Sequence, residues 1–356
     1  MDYNKQAVSI TDQIALLRER GLTIDDEAAA IHHLGTISYY RLAGYLLPFQ
    51  SDKQLHIYKP GSRFETALEL YRFDQKLRVL AFDIIERIEV SVRTQLIYTM
   101  SMNHSPWWFE DVSLFTNPDD HAEALASIDG ELARSHEEFI VDHRTRYASD
   151  TRRPPAWKTL EIVTLGTLSR LYGNIRKELA GRDEIAAYFL VPPRQYLSGW
   201  LQSITQVRNV CAHHARLWNR TIAAAPKRIK RPQPELYYAP ILQLTQNKLY
   251  PALCCMNHLL FTISPGYGIG LRLQELFIAH PNVDPAAMGF PANWQQEPIW
   301  SIPQPAASVA KSQNSALTQP APSINWCRAV SRFGKPLLAI TAAALFVNQS
   351  LKRRNK

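Results

Sequence analysis

The sequence predicts an all-α protein, and three observations carry that prediction. Apolar residues recur at three- and four-residue steps from Phe64 to about Met102, with Leu77, Leu80, Ile84 and Ile88 marking the period. The same period returns in Leu197, Leu201, Ile204, Cys211, Ala215 and Trp218, and beside it in Trp200, Val207, Val210 and Leu217. Between such runs stand helix breakers: Gly21, Pro48, Pro60-Gly61, Pro106, Pro154-Pro155 and Pro192-Pro193.

Taken in order, Thr11 caps a first helix over Asp12–Arg20 that Gly21 stops. Asp25-Asp26-Glu27 opens a second, its acidic residues favoured at the positive end of a helix. That region runs through Tyr39-Tyr40-Arg41-Leu42 and Gly44-Tyr45 to Pro48-Phe49, and the tyrosines read as amphipathic core residues. His32-His33 lacks a third ligand at metal spacing and reads as surface or core. Residues 51–62 are turn-rich, and the long helix follows. On that helix Glu86, Glu89 and Arg93 share a face and predict an ion-paired strip. Ser105-Pro106-Trp107-Trp108-Phe109 predicts a packed aromatic corner, and residues 119–148 a charged helix. Trp157 to Ser169 reads as a mostly apolar helix on which Glu161, one turn from Trp157, needs a partner. A central helix begins near Ser198, and residues 237–263 and 269–280 predict two final helices.

With 356 residues, 46% hydrophobic and 20% charged, the chain holds ample material for a core. A net charge of +8 favours an acidic partner such as RNA without establishing one. Cys211, Cys254, Cys255 and Cys327 show neither metal spacing nor a disulfide framework, which suits a cytoplasmic setting, and no metal or cofactor is expected. No run approaches the ~18 apolar residues of a membrane span. The expected division is an N-terminal helical region over 1–60 and a helical domain with inserted helices over 61–300. A Pro-, Ala-, Ser- and Gln-rich linker expected to be disordered follows over 301–335, then a short apolar and basic tail over 336–356.

One stretch departs from bundle logic. Arg208-Asn209-Val210-Cys211-Ala212-His213-His214-Ala215-Arg216-Leu217-Trp218-Asn219-Arg220 places two histidines, three arginines and two asparagines within what reads as the central helix. Arg208 interrupts an apolar row, and an unpaired arginine there costs several kcal/mol, about 3–5 on breaking a buried pair. It therefore needs a carboxylate or a phosphate. Glu161 is the carboxylate candidate, as a fork that a phosphate displaces or as a structural pair. Arg208 and His213 lie ~140° apart on an ideal helix. Closing a cleft thus takes a second helix or a second chain. Asn209, four residues before His213, is placed to orient its imidazole, while His214 lies in an apolar row that suggests packing.

Arg-x4-His with Asn after the Arg resembles the signature of the HEPN superfamily, and the full string resembles the abortive-infection (AbiD/AbiF-like) phage-defence proteins. The Tyr39–Phe49 block, the Glu86–Arg93 segment, Trp157–Ser169 and Met288–Trp300 resemble further blocks of that family. The resemblance implies a HEPN-like bundle acting as a metal-independent endoribonuclease. His213, with His214 as the other candidate, would move protons between the ribose 2′-hydroxyl and the leaving oxygen. Arg208 would stabilise the pentavalent phosphate and Asn209 would set the tautomer. Arg216, Arg220, Tyr40, Arg41, Lys227 and Arg228 would hold substrate by charge and stacking. The expected partners are RNA, whether tRNA or another cellular or phage RNA, a second copy of the chain, and a phage-derived trigger. The alternative is a non-catalytic RNA- or protein-binding module of antitoxin-like or regulatory type.

Overall fold

The computed structural model describes residues 6–191, 195–226, 247–264 and 266–300. The chain divides after Gln304 into two units, and the described residues belong to the first. The linker and tail expected beyond Ser301, and the Lys227–Arg231 basic run, lie outside the described residues.

The described chain is helical apart from one small hairpin, in agreement with the predicted class. Helix α1 spans Ile10–Glu19 and starts before Thr11, because the Ser9 hydroxyl accepts from the Asp12 amide and caps it. Gly21, with φ of 88°, ends it in the left-handed region that glycine adopts without penalty. Helix α2 spans Glu27–Ile37 on an Asp26 cap, and α3 spans Tyr39–Leu46 on a Ser38 cap. Strands β1 (Gln50–Asp52) and β2 (Ile57–Tyr58) pair antiparallel within the turn-rich segment.

Helix α4 runs unbroken from Phe64 to Asn103, 40 residues. Its Phe73, Leu77, Ala81, Ile84, Ile88, Val92 and Leu96 are all buried, at the spacing that puts them on one side of the helix. The predicted ion-paired strip is reduced to Arg93 on Glu89 at 2.9 Å, with Glu86 exposed. Arg93 also donates to the Val163 carbonyl at 2.9 Å, tying α4 to a distant turn. Trp108, Phe109 and Phe115 form the expected aromatic corner. The charged segment after it divides into α5 (Pro118–Arg134) and α6 (Glu138–Arg146), where one helix is predicted.

Helices α7 (Ala156–Thr159), α8 (Leu165–Asn174), α9 (Ala180–Tyr188), α10 (Gln195–Ala212), α11 (Leu249–Ile263) and α12 (Gly270–Ile278) complete the bundle. Around α4 pack α3, α8, α9, α10, α11 and α12. Gly166 lies across from Thr205, so a glycine lets α8 approach α10 closely. No described helix is long and apolar enough to cross a membrane.

Within this core, His258 of α11 is buried, its Nε2 facing the carbonyls of Phe189 and Leu190 at 2.9 and 3.1 Å. Burial lowers its pKa from 6.5 to about 4. The unfolded chain then takes up this proton at higher pH than the folded one, so its share of stability is full above 6.5 and lost as pH falls toward 4. The loss expected over that window is about 3 kcal/mol. Chemical denaturation at pH 7 and pH 4.5 measures it, and His258→Gln should flatten the slope.

Candidate functional site at the end of helix α10

Helix α10 does not continue through the arginine- and histidine-rich stretch. It ends at Ala212, and the chain turns back on itself. The His214 amide donates to the Cys211 carbonyl at 3.0 Å and the Ala215 amide to the Val210 carbonyl at 2.9 Å. These two bonds make a Schellman cap with His214 in the left-handed position, at φ of 51°. Glycine ordinarily occupies that position. A side chain there costs roughly 1–2 kcal/mol, the kind of strain that collects at functional sites.

The turn explains which parts of the helical reading hold. Leu197, Trp200, Leu201, Ile204, Val207, Val210 and Cys211 are buried as the periodicity requires. Ala215, Leu217 and Trp218 do not extend those rows, because they lie beyond the helix end. His213 and His214 are both exposed, so the packing expected of His214 does not occur. Cys211 is buried, and that burial pushes its thiol up to about 12, away from the thiolate form.

The returning segment is anchored by Asp74, which the sequence pattern does not single out. Asp74 of α4 is fully buried, and its Oδ2 accepts from the Tyr45 hydroxyl at 2.6 Å, Arg78 Nη1 at 2.5 Å and the Leu217 amide at 3.1 Å. Its Oδ1 accepts from the Trp218 amide at 2.6 Å. Arg78 Nη1 also donates to the Tyr45 hydroxyl at 3.2 Å, closing the cluster. Burial raises the Asp74 pKa, while all four donors favour the ionised form. The same burial, with Asp74 alongside, raises the Tyr45 phenol.

Two arginines fasten α3 to the same turn. Arg41 donates to the His214 carbonyl, and Arg216 donates to the Gly44 carbonyl. Arg220 donates to the Arg216 carbonyl at 3.3 Å, and Lys248 to Asn219 Oδ1 at 2.7 Å. The tyrosines before them separate by role. Tyr45 is buried, Tyr39 is partly buried, and Tyr40 is 91% exposed, against the core reading of all three. Thus α3 carries an uncovered aromatic ring on the residue that precedes Arg41, the one that reaches the histidine turn.

Arg208 is half-buried on the last full turn of α10. Among the described residues its Nη1 makes one long bond, to Asn209 Oδ1 at 3.4 Å, and its buried Nε has no hydrogen-bond partner. Asn209 therefore contacts the guanidinium, and among the described residues its side chain makes no bond to His213. The expected Glu161–Arg208 pair is absent. Helix α7 stops at Thr159, and Glu161 stands exposed in the turn before Thr164 caps α8. There it lines an open groove with Glu131, Arg134 and His136, and water solvates it, so the burial that demanded a partner does not arise. Lys227 and Arg228 lie outside the described residues.

The fold and this site define an all-helical protein that presents an arginine on a helix and two histidines on the strained turn that ends it. A family model described as Abi-like protein matches residues 32–219. That span covers more than half of the chain, from α2 through the histidine turn, and the protein belongs to the Abi-like, abortive-infection family. No curated protein and no solved structure matches it.

Proposed function

We propose that this protein acts in abortive-infection defence against phage as an endoribonuclease of HEPN type, cutting RNA by attack of the ribose 2′-hydroxyl on the neighbouring phosphate. An imidazole, His213 first and His214 second, removes the 2′-hydroxyl proton. O2′ then bonds to phosphorus, the bond to O5′ breaks, and O5′ takes up a proton. The products are a 2′,3′-cyclic phosphate and a 5′-hydroxyl end. Arg208, with Asn209 against it, stabilises the extra negative charge of the pentavalent state.

The observation that supports this reading most is the guanidinium of Arg208: half-buried, held by no described carboxylate, and close in sequence to two exposed imidazoles. A structural arginine at such a position would be expected to carry an ion pair. Arg41, Arg216 and Arg220 add positive charge around the turn, and Tyr40 offers a face on which a base can stack. A second copy of the chain would supply the other wall of the cleft.

The deciding experiment incubates the purified protein with labelled tRNA and total RNA in the presence of a chelator. Cyclic-phosphate ends at discrete positions are expected. Retention of intact RNA, without cleavage, would make the protein a binding module instead.

A further inference from the structure

The segment that follows the histidine turn borders a cavity of about 260 Å³, slightly below the ~300 Å³ at which drug-sized ligand sites begin. Trp218 and Asn219, from the segment after the histidine turn, form one wall, and Phe49 and Leu70 add apolar surface. The polar lining comes from Thr66, Glu69, Asn219, Asn282 and Asp284, and among the described residues no lysine, arginine or histidine lines it. An anion is therefore disfavoured, and a phosphate does not belong here. The occupant this lining suits is small, with apolar faces toward Phe49, Leu70 and Trp218 and an edge that turns hydrogen-bond donors or positive charge toward Glu69 and Asp284.

A nucleobase has those faces, and guanine presents the matching edge. Its N1–H and N2 amino groups lie side by side and pair with one carboxylate, while adenine and cytosine offer an amino group beside an acceptor. Glu69 is set for this role. Asn282 Nδ2 donates to Glu69 Oε2 at 3.0 Å, which leaves Oε1 and the second lone pair of Oε2 to accept the two guanine donors. Lys248 occupies Asn219 Oδ1, so the Asn219 amide group is left as a donor to a base carbonyl.

Position agrees with chemistry. Trp218 stands four positions after His214, which bounds the distance between their backbones at about 14 Å. The Asp74 carboxylate fixes Trp218 through its amide, so pocket wall and histidine turn are parts of one anchored loop. We propose that this cavity reads a guanine in the RNA strand, next to the scissile phosphate or one nucleotide beyond. The proposal rests on the ribonuclease reading given above and names the base that site selects.

The test uses the full-length protein and single-stranded RNA oligonucleotides that carry one guanosine, inosine or adenosine at each position in turn, with cut ends mapped by sequencing. Guanosine at one fixed offset from the cut should be favoured about tenfold or more over adenosine. Inosine, which lacks the N2 amino group, should fall between them. Glu69→Gln should reduce the preference to less than about threefold while cleavage of other sequences continues, and its melting temperature reports that the fold is intact. Equilibrium binding of guanosine and of adenosine, as free nucleosides, provides the arm that does not depend on cleavage. If no RNA is cut yet guanosine binds preferentially and Glu69→Gln abolishes that preference, the pocket stands and the nuclease reading fails. Cleavage with no guanine preference, or a preference that Glu69→Gln and Asn282→Ala leave unchanged, overturns the pocket.

Discussion

Asp74→Ala should destabilise the protein by about 3–5 kcal/mol, the range for removing one partner of a buried ion pair. The substitution leaves Arg78 charged and buried, deprives the Tyr45 hydroxyl of its acceptor, and strands the Leu217 and Trp218 amides. Each of those groups then bears a desolvation penalty that the carboxylate had offset. Urea denaturation compares the two proteins directly. A loss below about 1 kcal/mol, the scale of an exposed pair, would mean that the cluster does not hold the loop in solution. Tyr45→Phe removes one donor and keeps the ring, so it should cost about 1 kcal/mol. The contrast between the two variants separates the carboxylate's contribution from simple packing.

Arg208→Ala is expected to lower the rate of RNA cleavage by about 10²–10³-fold, the scale of losing one preorganised donor to a developing oxyanion. His213→Ala should lower it by about 10²–10⁴-fold, the usual share of a general acid or base. Neither change should greatly disturb the fold, since His213 is exposed and Arg208 holds no described carboxylate. Single-turnover cleavage, with far-ultraviolet circular dichroism as the folding control, measures both. Parent-level cleavage by the His213 variant would move the proton-transfer role to His214, and parent-level cleavage by variants of both histidines would remove the imidazoles from the mechanism. An arginine acting only through RNA affinity would raise KM and leave kcat unchanged, so the split between the two constants decides what Arg208 does.

Much of the bundle was legible because burial leaves a period in the sequence. Leu77, Leu80, Ile84 and Ile88 announce α4 and are buried as the spacing demands. Pairings across long separations leave no such trace. Asp74 looks like any acidic residue of an exposed helix face until Leu217 and Trp218, 143 and 144 residues later, are brought to it by the fold. The end of α10 was hidden for a different reason. Helix stops are read from glycine and proline, and here a histidine takes the left-handed cap. The apolar Leu217 and Trp218 beyond it mimic another helical turn, although their burial comes from the strand folding back. Glu161 follows the same logic, since the apolar period from Trp157 to Ser169 predicts one helix while α7 ends at Thr159, before Glu161. The arginine, the asparagine and the two histidines were picked out by residue type and spacing alone, and the turn that sets their relative placement was not.

That turn makes the interval between Arg208 and His213 a ruler with two kinds of gradation. From Arg208 to Ala212 it counts in helical steps of about 100°, and after Ala212 it counts in the dihedral angles of a single reversal. Adding or deleting one residue before the reversal would swing the guanidinium about a quarter-turn away from the imidazoles while leaving both side chains chemically intact. On the proposed mechanism, four intervening residues become a geometric requirement, and cleavage should tolerate substitution inside the interval far better than a change in its length.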